Sequence, residues 1–156
     1  MQYFTSPVDL AGIRCLIQKL ADQGIRVWLF GGWAEEVRGL TAPRAHKDVD
    51  LLYPGTDFSA LDAFMRGTSG LPEVAVKRTP CSRAFEIEGN FVEFYLVQAD
   101  EDGLFTDFWG YLHRWPADTL ADVMEFPVAS VASLEDSRSV WPQVEQAYDT
   151  YAASQR

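Results

Sequence analysis

The chain has 156 residues, of which 47% are hydrophobic and 13% aromatic; this suits one globular domain spanning 1–156 and excludes a disordered polypeptide. Its 23 acidic against 13 basic residues leave a formal charge of −10, which opposes attraction to nucleic acid or an anionic membrane and favours a cationic small molecule or a metal complex. Two cysteines make no disulfide framework, residues 1–7 lack the basic and apolar segments of a secretion signal, and no apolar run is long enough to cross a bilayer, so a reducing, cytoplasmic setting is expected.

Ser6 before Pro7 is a helix-start signal, because a hydroxyl caps free N–H groups and Pro suits the first helical position. Leu10, Ile13, Ile17, Leu20 and Ala21 recur at helical spacing, and Gly24 stops the helix. Residues 25–30 are short and apolar and read as a buried strand. Residues 33–40 follow the Gly31-Gly32 turn as a second helix. A loop around Ala42-Pro43 leads to a strand over 48–53, closed by Pro54-Gly55, and then to a helix over 59–66.

From Glu73 the pattern turns to β. Val74 and Val76 alternate with small or charged residues, and 84–88 and 91–97 flank Gly89-Asn90 as a hairpin does. Residues 98–103 are polar and acidic, and 104–116 are aromatic without a clean period, which reads as an irregular loop over a site. Residues 126–131 suggest a last short strand. Ser133 with Asp136 then opens a terminal helix over about 133–153 in the manner of a capping box.

Asp48-Val49-Asp50 places two carboxylates two residues apart on a strand, hence on one face of the sheet, at the start of an apolar run. Two such acids repel unless a cation lies between them. Glu93 interrupts the otherwise apolar 91–95, and a buried lone carboxylate is costly without a partner or a metal. If the two strands are neighbours, Asp48, Asp50 and Glu93 converge on a site for a hard cation such as Mg²⁺. If the sheet is solvated on that side, Glu93 simply faces water.

Gly31 and Gly32, at a strand-to-helix turn, let phosphate oxygens approach backbone N–H groups, although tight turns also use glycine for geometry alone. Arg44 and Lys47, near the acid pair, are suited to stabilising developing negative charge or are solvated loop charges. His46 shares the parity of Asp48 and Asp50 and is expected to orient a carboxylate or touch phosphate. A zinc site here would lack a nearby Cys or second His. Trp109, Tyr111, His113 and Trp115 suit core or lid packing better than base stacking, Asp100, Glu101 and Asp102 suit a solvated loop, and Trp141 and Tyr148 suit a core face.

Taken in order, Gly31-Gly32-Trp33-Ala34, then Arg44, His46 and Asp48-Val49-Asp50 in the arrangement R-x-H-x-D-x-D, then Glu93 among apolar strand residues resemble the nucleotidyltransferase superfamily that includes DNA polymerase beta. Within it they are similar to the small aminoglycoside and lincosamide nucleotidyltransferases. The resemblance implies an α/β (α+β) fold with a mixed, mostly antiparallel central sheet flanked by helices. It implies Mg²⁺, as two ions, held by Asp48, Asp50 and Glu93 against the triphosphate of a nucleotide, with ATP the expected donor. Gly31 and Gly32 would hold the outer phosphates, and Arg44, His46 and Lys47 would lie beside the nucleotide.

The implied activity is Mg²⁺-dependent transfer of a nucleoside monophosphate, AMP foremost, to a hydroxyl of a small acceptor, with a cationic one favoured by the acidic composition. Many members carry Asp where this chain has Glu93, and the chain continues into only one terminal helix. Those two features support the alternative of a non-catalytic regulator that keeps the fold and binds a nucleotide or a protein. Nucleic-acid and membrane partners are not expected, and a homodimer is left open.

Overall fold

The computed structural model describes residues 9–120 and 125–156, with the side chains of 68 and 69 excepted. The helix start expected at Ser6-Pro7 lies outside the described residues. Within the described residues, α1 (Leu10–Asp22) opens on Asp9, whose Oδ1 accepts from the Gly12 N–H at 2.8 Å. It buries Ile13, Leu16, Ile17 and Leu20, the face that its helical period marks out.

Next come β1 (Trp28–Phe30), α2 (Gly31–Val37), β2 (Asp48–Pro54), α3 (Ser59–Phe64), β3 (Ser82–Ile87), β4 (Asn90–Asp100), β5 (Gly103–Phe108), β6 (Tyr111–Arg114) and α4 (Val131–Ser154). A short π-helical turn, Met65–Ser69, prolongs α3, and a 3-10 turn, Ala75–Lys77, precedes β3. The six strands form a mixed, mostly antiparallel sheet in the order β1-β2-β4-β5-β6, with β3 also paired to β4. Only β2 and β4 run parallel, in a register that sets Asp50 beside Glu93. This is the α+β architecture expected from the sequence.

The long β4 unites the sheet. Its first half is sandwiched between β2 and β3, so 92–97 are buried throughout; its end pairs with β5. Such double coverage requires a near-continuous apolar run, and Val92, Phe94, Leu96 and Val97 supply it around Glu93. One face of the sheet carries Phe30, Asp50, Glu93 and Tyr95, and α4 closes over it through Trp141, whose ring meets those of Phe30, Tyr95 and Phe108 at 5.8, 5.9 and 5.7 Å.

Several local expectations are corrected. Residues 104–116 form the β5–β6 hairpin rather than an irregular loop. Its two turn residues, Trp109 and Gly110, both have positive φ, 54° and 99°. Such a turn ordinarily carries Asn-Gly, so a Trp at its first position hides the hairpin. Val76 is not in a strand but is 73% exposed within the 3-10 turn. Residues 126–131 form no extended strand: Val128 bridges Leu29, with the Leu29 N–H donating to the Pro127 carbonyl and the Ala129 N–H to the Leu29 carbonyl, and Pro127 itself offers no N–H. The cap of α4 is Ser130, whose Oγ accepts from the Ser133 N–H at 3.1 Å; Ser133 lies buried in the first turn. Helix α2 begins at Gly31 itself, and β1 is confined to three residues. Both cysteines are free, and among the described residues no helix is long and apolar enough to cross a membrane.

Candidate active site

Strand period puts Asp48 and Asp50 on the same face of β2, and the parallel register adds Glu93 from β4. All three line one cavity of about 390 Å³ between the sheet and α4, together with Lys77, Tyr95 and Trp109. From α4 the same cavity receives Trp141, Glu145, Tyr148 and Asp149. A second cavity of about 210 Å³ adjoins it, lined by Gly31, Gly32, Glu35, Asp50, Arg138 and Trp141 among others. Asp50 and Trp141 belong to both, so the two spaces meet at that carboxylate.

Asp50 is the electrostatic centre. Burial first, then the neighbouring Glu93 and Asp48 carboxylates, push its carboxyl well above the usual range, and Lys77 opposes them. Asp48, more open, is raised in the same way by burial and Glu93, against Lys77 and Lys47. Among the described residues, no side chain hydrogen-bonds to or pairs with Asp50. A half-buried carboxylate beside two others calls for a cation.

Glu93 is held differently. Tyr95 Oη donates to its Oε2 at 2.7 Å, and Lys77 Nζ stands 3.7 Å from its Oε1. Burial, with Asp50 and Glu93 nearby, raises the Tyr95 phenol well above its ordinary range, so it remains a donor. Glu93 is 8% exposed, which removes the reading in which it faces water.

Gly31 has a left-handed φ of 67°, and a Cβ there would collide with Asp50 Oδ2. The glycine therefore serves the approach of the turn to the carboxylate as well as its geometry. At Gly32 a Cβ would come within 2.7 Å of Arg44 Nη2 and 2.9 Å of His46 Nδ1. The structure thus brings Arg44 and His46 to the glycine pair, while Lys47 is exposed and acts on Asp48 only through space. His46 does orient a carboxylate, though not one of the expected trio: its Nε2 lies 3.1 Å from Glu36 Oε1, and its ring packs on Trp33 at 4.5 Å. Glu36 also accepts the Arg44 backbone N–H at 2.9 Å, and this bond, with His46, holds its carboxyl below the usual range.

Sequence reasoning missed Lys77, Tyr95, Glu36, Glu145 and Asp149. Glu145 and Asp149, four apart on α4, carried a signal in their helical spacing. Lys77 carried none, because the 3-10 turn that delivers it has no period, and Glu36, on α2, is tied in only by Arg44 and His46 of the aperiodic loop that follows. Of the acid run, Asp100 is paired to Arg114, Nη1 to Oδ1 at 2.6 Å and Nη2 to Oδ2 at 2.8 Å, on the exposed end of β4. Tyr148 leans on Trp109 edge-to-face at 4.8 Å and donates to the Val76 carbonyl at 3.3 Å, so it joins α4 to the cavity rim.

The donor set is all hard oxygen, which suits Mg²⁺. Among the described residues no group of three or more His, Cys, Asp and Glu side chains is placed so that it could hold a metal ion. One or two carboxylates with substrate phosphates completing the shell are a set that Mg²⁺ uses, and Asp48 and Asp50 are donors of that kind.

No protein-family model and no curated protein sequence matches the chain. Solved structures do. The lincosamide antibiotic adenylyltransferase LnuA, in its lincomycin-bound crystal structure, is 16% identical and superposes with a TM-score of 0.62 over 80% of this chain and 82% of its own. ANT(2″)-Ia, crystallised with adenylyl-2″-tobramycin, is 16% identical with a TM-score of 0.59, over 92% and 87%. A Thermotoga maritima protein provisionally assigned as a nucleotidyltransferase is 19% identical with a TM-score of 0.53, over 94% and 93%. The chain has the nucleotidyltransferase fold, similar to that of the aminoglycoside and lincosamide enzymes.

Proposed function

We propose that the protein transfers a nucleoside monophosphate, AMP foremost, from a nucleoside triphosphate to a hydroxyl of a small cationic acceptor, with Mg²⁺ bound at Asp48 and Asp50. The observation that carries this reading is the parallel pairing of β2 with β4, which sets Asp50 beside Glu93 where the Gly31 turn meets the carboxylate. Bound there, Mg²⁺ would neutralise triphosphate charge and polarise the α-phosphoryl group. Gly31 and Gly32 line the smaller cavity, the missing Cβ of Gly31 admits Asp50 and that of Gly32 admits Arg44 and His46, and the Arg44 guanidinium against Gly32 would meet the leaving pyrophosphate.

In the transfer the acceptor oxygen attacks the α-phosphorus and the bond from that phosphorus to the bridging oxygen breaks. Pyrophosphate departs, and the hydroxyl proton passes to the Glu93 carboxylate. Tyr95 keeps Glu93 oriented by its 2.7 Å hydrogen bond. Glu145 and Asp149 suit ammonium groups on the acceptor, and Trp109, Trp141 and Tyr148 offer ring faces to an apolar or sugar surface. The net charge of −10 favours the same kind of acceptor and disfavours RNA.

The alternative, a non-catalytic nucleotide or protein binder, draws on one observation: both Glu93 oxygens already have partners, in Tyr95 and Lys77. Calorimetry of ATP binding with and without Mg²⁺, on the wild type, Asp48→Asn and Asp50→Asn, separates the two. The transferase reading expects metal-dependent binding that both variants lose, followed by pyrophosphate release with amino-sugar acceptors. Equal binding without metal sinks it.

A further inference from the structure

We propose that Lys77 is a built-in counter-cation of the Asp48, Asp50 and Glu93 cluster that takes the place of a second divalent ion, so that the site accepts a single metal with its nucleotide. The proposal rests on the transferase reading of the site and concerns one lysine that neither the motif order nor strand parity brought to it.

Lys77 is not a free surface side chain. Its backbone N–H donates to the Val74 carbonyl at 3.0 Å and its own carbonyl accepts from Ser82 Oγ at 2.7 Å, which ties the 3-10 turn to the start of β3. The preceding Val74 N–H donates to the Ala84 carbonyl at 2.9 Å. From this fixed base the side chain reaches inward and is only 24% exposed. Its Nζ lies 3.7 Å from Glu93 Oε1 on one side and 4.3 Å from the centre of the Tyr148 ring on the other. Tyr148 is itself anchored, through its hydroxyl, to the Val76 carbonyl. The ammonium is therefore clamped between a carboxylate and an aromatic face, the first held by the Tyr95 hydroxyl and the second by the Val76 carbonyl.

The three acids divide accordingly. Glu93 has a partner on each oxygen, whereas Asp48 and Asp50 have none among the described residues. Lys77 also acts through space on both aspartates, where it opposes the rise caused by burial and mutual repulsion. A divalent ion bound to Glu93 Oε1 would need a bond of roughly 2.1 Å, which keeps it within about 6 Å of the Lys77 ammonium and sets two positive centres against each other. The charge of the lysine opposes an ion there. An ion between Asp48 and Asp50 meets no such obstacle. The site is thus divided into a metal half on β2 and a lysine-paired half on β4, and Glu93 stays free of metal to receive a proton.

The test counts ions. Mn²⁺, which replaces Mg²⁺ and reports its free concentration by electron paramagnetic resonance, is titrated into wild type, Lys77→Met and Lys77→Arg, each with one equivalent of α,β-methylene-ATP. Wild type and Lys77→Arg are expected to hold one ion per chain and Lys77→Met two. Without nucleotide, the affinity of Lys77→Met for its first ion should rise about tenfold, since one nearby positive charge is gone. Circular dichroism confirms that the variants are folded, and the charge-preserving Arg separates the loss of the cation from the loss of packing on Tyr148. Two ions in the wild type, or one in Lys77→Met, overturns the proposal and leaves the transferase reading standing. If no variant takes up Mn²⁺, the metal reading of the site fails and the proposal falls with it.

Discussion

Asp50→Asn should make the metal-free protein more stable while it abolishes metal binding. Asp50 and Glu93 are register partners on neighbouring strands, which lie about 4.8 Å apart. Two unit charges at that spacing repel by about 3 kcal/mol at the effective dielectric of a protein site. Lys77 offsets part of this, so the variant is expected to gain about 1–3 kcal/mol at pH 7 in EDTA, or roughly 3–10 °C in Tm for a chain of this size. The sign with pH follows from the raised carboxyl of Asp50. A carboxyl whose native value lies above its unfolded one, about 3.9, binds its proton more tightly in the folded chain. Its contribution is therefore present in acid and lost as pH rises through the native value.

The gain of the variant should shrink toward pH 4 and be largest at neutral pH. Taking the difference between the two proteins cancels groups such as Asp100, held low by Arg114, which weaken the fold in acid in both. Added Mg²⁺ should stabilise the wild type and leave the variant unmoved. The assay is thermal unfolding from pH 4 to 8, in EDTA and in Mg²⁺. A variant no more stable than the wild type in EDTA at pH 7 would refute the electrostatic account of the site.

Three further outcomes are expected. Gly31→Ala forces a side chain into a left-handed φ and against Asp50 Oδ2, so it should lose about 1–2 kcal/mol in urea unfolding and also lose its stabilisation by Mg²⁺. Thr106 is wholly buried, accepts from Trp115 Nε1 at 2.8 Å and donates to the Leu96 carbonyl at 2.7 Å; Thr106→Val strands both partners and should cost about 1–3 kcal/mol in the same assay. Glu145→Gln with Asp149→Asn should raise KM for a diamino acceptor about tenfold in a pyrophosphate-release assay, with kcat little changed; an equal rise for a neutral polyol acceptor would remove the charge argument.

Much of the site could be read from local periodicity and little from long-range pairing. The two-residue period of a strand placed Asp48 and Asp50 on one face, and the cost of a carboxylate inside an apolar run marked Glu93. That β2 and β4 are neighbours and parallel is a pairing between residues more than forty apart, and no local propensity dictates it. The β5–β6 hairpin was hidden because Trp109 adopts a conformation that asparagine or glycine usually supplies. Its ring is packed against Phe108 and Tyr148, and its Nε1 donates to Thr79 Oγ1 at 2.9 Å, so tertiary contacts override the local preference. His46 had the right parity and went elsewhere, because strand β2 begins only at Asp48 and the preceding loop turns the imidazole toward Glu36.

The charge of the larger cavity sorts what enters it. Five carboxylates, Asp48, Asp50, Glu93, Glu145 and Asp149, face one ammonium, Lys77, on its walls. A bare triphosphate is repelled from such a space, and the same triphosphate carrying a divalent ion is repelled far less. In the proposed transfer a cationic acceptor would be drawn toward Glu145 and Asp149 on α4. Like charges that destabilise the empty fold would then give the two reactants different places, the anionic one beside Gly31 and Asp50 and the cationic one along α4. On this argument the cost in stability that Asp50→Asn relieves is the same free energy that makes the site selective for a metal-bound nucleotide.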